Sequence, residues 1–173
     1  MEIPILKTER LILRPLTIGD AEEVFSWASD ERVTRFMGYP KHENIEVTKA
    51  WLSSLADVSE KSFDWGFVLK ENGKLIGSGG VSWNDEYNAW TFGYNISFDC
   101  WGRGYTTEVT KRMIKYAYEN LGSRDFVAYH AIDNPASGRV IEKCGMRFSH
   151  FGEYSKFDGS ATFKAKFYKM HLD

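Results

Sequence analysis

Asn95-Ile96-Ser97-Phe98-Asp99-Cys100-Trp101-Gly102-Arg103-Gly104-Tyr105-Thr106-Thr107-Glu108 is the stretch on which the fold turns. Residues 89–98 alternate as a strand does, and Val109, Met113, Ile114, Ala117 and Leu121 then recur at helical spacing. A strand that runs through two glycines at i and i+2 into a long helix leaves unpartnered backbone N–H groups at the helix start, which together make an anion site. Glycine lets a phosphate approach the backbone closely. Thr106 and Thr107 add hydroxyl donors, and Arg103 adds charge. A P-loop is excluded because no Lys-Ser/Thr follows Gly104, and the dinucleotide fingerprint lacks its third glycine. Taken alone, the two glycines fit a plain turn equally well.

Downstream, residues 125–132 read as a strand, so the helix is a crossover between parallel strands. Asn134 caps a short helix, 136–144, which Gly145 ends, and strands near 148–155 and 162–172 flank an Asp158-Gly159 turn. Upstream, Phe63, Trp65, Phe67 and Leu69 alternate, Asn72-Gly73 turns the chain, and strands over 74–83 and 89–98 complete an antiparallel meander. Before the meander come a strand over 10–16, a helix capped by Thr17 with Asp20 at the capping-box position, and a second helix near 44–55. The order β-α-α-β-β-β-α-β-α-β-β predicts an α/β fold: a mixed, mostly antiparallel sheet of about seven strands flanked by helices.

Composition sets the outer limits. With 173 residues the chain is expected to form one domain, 1–173. The 6 Trp, 9 Tyr and 12 Phe give it enough apolar surface to order itself. No apolar run is long enough for a spanning helix, so no membrane partner is expected. A formal charge of −2 offers no surplus for a general nucleic-acid binder. The first ten residues contain no apolar secretory core, and Cys100 and Cys144 make no disulfide framework, so reduced thiols and a cytoplasmic location are expected. Neither cysteine has metal-ligand spacing to another Cys or His, and no metal is expected.

Three segments, in order, resemble one family. Trp101-Gly102-Arg103-Gly104-Tyr105-Thr106-Thr107-Glu108 resembles the W-G-[KR]-G-Y-[AT]-T-E loop of the GNAT acyltransferases, in the variant of their ribosomal-protein N-terminal acetyltransferase branch. Thr8 to Arg14 resembles that branch's opening T-x-R-L-x-L-R, and Asn134 to Met146 its N-x-x-S-x-x-[VL]-[LI]-E-K-x-G-[FM]. The resemblance spans nearly the whole chain. It implies a splayed central parallel pair and acetyl-coenzyme A as donor. The pyrophosphate would lie on the amides of Gly102, Arg103, Gly104, Tyr105, Thr106 and Thr107. The pantetheine arm would pair like an added strand with the backbone around Ile96 and Phe98. Asn134 would bond that arm and Ser137 would lie near the sulfur.

The expected reaction is direct attack of a primary amine, from a protein N-terminus or a small molecule, on the thioester. The Ile96 N–H, freed by a strand bulge, is the candidate donor to the carbonyl. Candidates for the base are Asp99, Glu153 and His130, each with a purely structural alternative: a loop acceptor, a surface charge and a satisfied core residue. Ser137 is the candidate helper of the thiolate. Where other branches carry an acidic Tyr, this chain has Ile141, and Tyr154 or Tyr168 could supply a phenol instead. Trp27, Phe36, Met37, Tyr39, Trp51 and Trp83 either shape the acceptor pocket or build the core. A non-catalytic coenzyme A sensor and a nucleotide binder are the competing functions. The resemblance also leaves room for a homodimer.

Overall fold

The computed structural model describes residues 2–56 and 59–173. Eight strands form one sheet: β1 (Leu6–Lys7), β2 (Leu11–Arg14), β3 (Ser62–Leu69), β4 (Leu75–Asn84), β5 (Ala89–Ile96), β6 (Asp125–Ala131), β7 (Arg147–Ser155) and β8 (Thr162–His171). The helices are α1 (Ala21–Ala28), α2 (Glu31–Thr34), α3 (Ile45–Ser54), α4 (Tyr105–Asn120) and α5 (Pro135–Lys143). The strand order is β1-β2-β3-β4-β5-β6-β8-β7, and every neighbouring pair is antiparallel except β5 with β6. The expected α/β class, meander and crossover are therefore present. The sheet gains β1, and α2 is added as a single turn whose Asp30 cap accepts from the Arg32 N–H at 2.9 Å.

Strand parity sorts the side chains. Phe63, Trp65 and Phe67 lie on the face that packs α4 and α5, with Val109, Met113, Tyr116 and Ile141. Their neighbours Ser62, Asp64, Gly66 and Val68 point to the opposite face, where α1 and α3 pack through Val24, Trp27 and Leu52 against Leu75 and Val68. The α4 residues that dictated a helix from sequence, Val109, Met113 and Ala117, are completely buried. Trp27 belongs to the second core and Trp51 packs against it, so these two build the fold.

The end of β5 and the Asn72-Gly73 turn differ from expectation. β5 stops at Ile96, because Phe98–Cys100 closes a 3-10 turn in which Trp101 N–H reaches the Phe98 carbonyl at 3.1 Å. Phe98 therefore does not stand on a strand. The Asn72-Gly73 pair sits inside a longer loop: Leu69 accepts from Gly73 N–H and donates to Lys74 O, and only Gly73 takes a left-handed φ, 72°.

The parallel pair is splayed. β5 and β6 meet at a single register position, Trp90 with Phe126, and beyond it they part toward their C-terminal ends. In the crossover, α4 starts directly at the mouth of that gap.

Candidate active site

Gly102 and Gly104 take left-handed φ angles of 73° and 80°. Gly104 is the N-cap of α4, so the chain turns sharply and presents the first helix amides outward. Two other motif residues hold the turn. The Trp101 indole N–H donates to the Ile96 carbonyl at 2.8 Å, and the Arg10 guanidinium donates to the Arg103 carbonyl at 2.9 Å. Arg10 also lies 4.4 Å from the centre of the Tyr105 ring.

A cleft of about 500 Å³ opens from this loop toward the splayed strands. Gly102, Gly104, Tyr105, Thr106 and Thr107 line one end of it, Ile96 and Tyr94 its floor, and Asn134 and Ser137 its far wall. The charged residues that line it are Arg32, Arg139 and Lys143, all cations. That charge and the amide-rich loop suit an elongated ligand with phosphates at one end. A smaller cavity of about 160 Å³ continues between the splayed strands, bounded by Gly93 and Tyr94 on one side and Ala128 to Ala131 on the other.

Asn134 occupies the N-cap position of α5, yet its side chain makes no capping bond and faces the cleft, which leaves its amide available. Ser137 Oγ lies 2.7 Å from the Tyr94 hydroxyl. Burial pushes the Tyr94 phenol well above its ordinary range, despite the Ser137 bond, so it keeps its proton.

The β5 register is unbroken from Ala89 to Ile96, so the expected bulge is absent. The splay does what the bulge was invoked to do. Ser97 N–H donates to the Ile76 carbonyl at 2.7 Å, and in an antiparallel ladder the N–H of the preceding residue then points to the other edge. Ile96 N–H thus faces the gap.

Several expected site residues stand elsewhere. Phe98 is exposed beneath the Arg32 guanidinium, 3.9 Å from its ring centre, and does not line the cleft. Arg103 contributes its carbonyl to Arg10 and turns an exposed side chain outward. Asp99 is exposed in the 3-10 turn. Glu153 is exposed on the edge strand β7 opposite Lys164, and it lines neither cavity. His130 has both ring nitrogens engaged, with Ala131 O at 2.7 Å and the Tyr168 hydroxyl at 3.2 Å. Tyr168 is thereby committed to the core, and Tyr154 bonds the Phe36 carbonyl at 2.6 Å. Among the described residues no carboxylate lines either cavity. Cys144 is half-buried, and desolvation pushes its thiol up to about 11, which makes it a poor nucleophile.

Tyr94 was not among the sequence candidates. Its parity with Ile96 places both on one face of β5, but only the packing of α5 against that face brings its hydroxyl to Ser137.

The chain matches the family model described as "Acetyltransferase (GNAT) domain" over residues 10–147. It is 32% identical over 147 residues to the uncharacterized N-acetyltransferase YoaA of Bacillus subtilis (strain 168), covering 83% of each chain. Among solved structures, an acetyltransferase (GNAT family) from Bacillus anthracis superimposes with a TM-score of 0.84 at 20% identity, covering 97% of this chain and 98% of that one. The microcin C7 self-immunity acetyltransferase MccE, solved with acetyl-CoA and AMP, gives 0.80 at 16% identity over 95% and 93% of the two chains. At those identities the structures speak for the fold, whereas the domain match and the relative identify the lineage: this chain belongs to the GNAT family of N-acetyltransferases.

Proposed function

We propose that the protein transfers the acetyl group of acetyl-coenzyme A to a primary amine, by direct attack within a ternary complex on a single domain. The observation that carries this reading is the continuity of the cleft. It begins at the amides of a left-handed Gly-x-Gly turn and ends between two parted strands whose free N–H edge faces inward.

In this reading the amides of Gly102 to Thr107 hold the pyrophosphate, and Arg139 and Lys143 add charge beside it. Ile96 N–H and the Asn134 amide hold the pantetheine arm and the thioester carbonyl. The free amine attacks the carbonyl carbon, the carbon–sulfur bond breaks, the nitrogen releases its extra proton to solvent, and the sulfur takes up a proton from an acid that solvent then re-protonates. Tyr94, kept protonated by burial and coupled to Ser137, stands where it can give that proton. A coenzyme A thiol has a pKa near that of cysteine, about 8.5, so the demand on this acid is modest. With no carboxylate in either cavity among the described residues, the ammonium loses its proton to water in the cleft.

Thiol release with acetyl-coenzyme A across a panel of amines and peptide N-termini tests this. Release with at least one acceptor supports transfer. Tight acetyl-coenzyme A binding with no release for any acceptor would instead mark a sensor of the coenzyme. Thermal stabilisation by ATP equal to that by coenzyme A would point to a nucleotide binder.

A further inference from the structure

We propose that Asp64 anchors a second positive charge on the acceptor, so that the preferred acceptors are primary amines carrying another ammonium group. The proposal rests on the gap between β5 and β6 being the place of transfer.

Asp64 lies on the sheet face opposite α4, in a cross-strand row formed with Gly80 of β4 and Gly93 of β5. Two glycines in that row leave the floor bare between the carboxylate and the gap. Oδ1 of Asp64 lies 2.7 Å from the point where a β-carbon on Gly80 would stand, so the carboxylate leans over β4 toward the gap. A β-carbon on Gly93 would meet nothing within 4 Å, and Gly93 itself borders the cavity between the strands. The adjoining row is Ser62, Ser82 and Thr91, so small hydroxyl side chains continue the floor. From Asp64 to the gap is about two strand spacings, on the order of 10 Å.

Among the described residues the carboxylate has no counter-charge. Its one side-chain partner is the Ser62 hydroxyl, at 3.4 Å, and among the described residues no cation acts on it. A partly buried acid without a counter-charge is costly to keep ionised unless a ligand supplies the charge. A short alkyl diamine does this: one ammonium meets Asp64 while the other end, as the free amine, reaches the thioester.

The test compares putrescine and cadaverine with n-butylamine and n-pentylamine as acceptors. In the natural protein kcat/KM is expected to favour the diamines by about tenfold or more, as a charge-assisted bond allows. In Asp64→Asn that ratio should fall toward parity, through KM. Gly93→Val, which fills the bare floor, should lower it as well. A natural protein without preference, or an Asp64→Asn protein that keeps it, overturns the proposal. Transfer to no amine would overturn the acetyltransferase reading instead. Calorimetry of putrescine with the coenzyme A-saturated protein then decides on Asp64. Binding that is lost in Asp64→Asn supports the anchor, and binding that is absent from the natural protein or kept in the variant refutes it.

Discussion

Arg10 and Glu108 stand 98 residues apart in sequence and form one joint: Arg10 Nε meets Glu108 Oε2 at 2.7 Å, and the Arg10 backbone N–H meets Oε1 at 2.8 Å. Both belong to motifs read from the sequence, one opening the chain and the other closing the glycine loop. The pair ties β2 to the first turn of α4, and the same guanidinium holds the Arg103 carbonyl. Burial works against the Glu108 carboxylate. The Arg10 N–H, the Thr8 hydroxyl and the Arg10 guanidinium more than offset it and leave its pKa below the usual range. A depressed carboxylate contributes stability above its unfolded pKa and loses it as pH falls through the folded value. Glu108→Gln should therefore cost about 1–2 kcal/mol at pH 7 and progressively less below about pH 4. Thermal melts over that range check the sign; a penalty that grows on acidification would contradict it.

Gly104→Val should remove measurable donor binding. The φ of 80° is strained for any β-branched residue, and a β-carbon there stands 3.4 Å from Arg10 Nη2, on the joint just described. Both the turn and the approach of a phosphate are affected. Calorimetry with acetyl-coenzyme A should show Kd rising at least about a hundredfold as loop hydrogen bonds are lost. Unchanged affinity would remove this loop from the donor site.

Much of the fold was legible because it rests on long periodic segments. The α4 stripe and the alternation through Phe63 to Leu69 need no tertiary information, and the strand–glycine–helix passage is local. What escaped was short or made of distant parts. β1 is two residues long and exists only by pairing Leu6 with Leu13 and Lys7 with Ile12, and α2 is one turn, too brief for periodicity to register. The glycine loop of the proposed donor end was readable because backbone-shaping residues build it. The reacting end was not, because Tyr94 becomes interesting only when α5 brings Ser137 within 2.7 Å. Glu153 shows the reverse: an acid at a plausible place in sequence, carried by an edge strand to solvent.

Tyr94→Phe tests the reacting end. It removes one oxygen and leaves the ring's packing beside Phe92 intact. If the phenol gives a proton to the departing sulfur, kcat should drop about ten- to a hundredfold with little change in the donor Kd. Because burial raises the Tyr94 pKa, the natural protein should show no loss of kcat from this group up to its ordinary range near about pH 10. A kcat within about twofold of the natural protein would exclude Tyr94 as the acid.

Lys156 holds the wall beside the cavity between the strands. Its ammonium donates to the carbonyls of Thr34, Met37 and Tyr39 at 2.8, 2.9 and 3.2 Å, while Phe157 N–H bonds Gly38 O at 2.8 Å. The turn between β7 and β8 thus pins residues 34–39, which include the cavity-lining Phe36 and Met37. Lys156→Met keeps the stem but leaves three carbonyls without that donor. Stability should fall by about 2–3 kcal/mol, and amide exchange should quicken at residues 36–40. Exchange that quickens uniformly along the chain would mean a global effect and no local wall.

Asp64→Asn should stabilise the protein at neutral pH. Burial is the main influence on this carboxyl and raises its pKa, with the Ser62 hydroxyl acting weakly the other way. A raised carboxyl contributes stability while protonated and loses it as pH rises through the folded pKa, the reverse of Glu108. Asparagine has the same shape and no charge to desolvate, so the variant should melt a few degrees higher at pH 7 and show little advantage near about pH 3, below the unfolded pKa, where the acid is largely protonated in both states. A fold does not keep such an acid for its own stability, so a stabilised variant that has lost its diamine preference would display both sides of the same carboxylate. A variant that melts lower at pH 7 would mean that Asp64 is held by structural bonds, and the case for a ligand-facing charge would weaken accordingly.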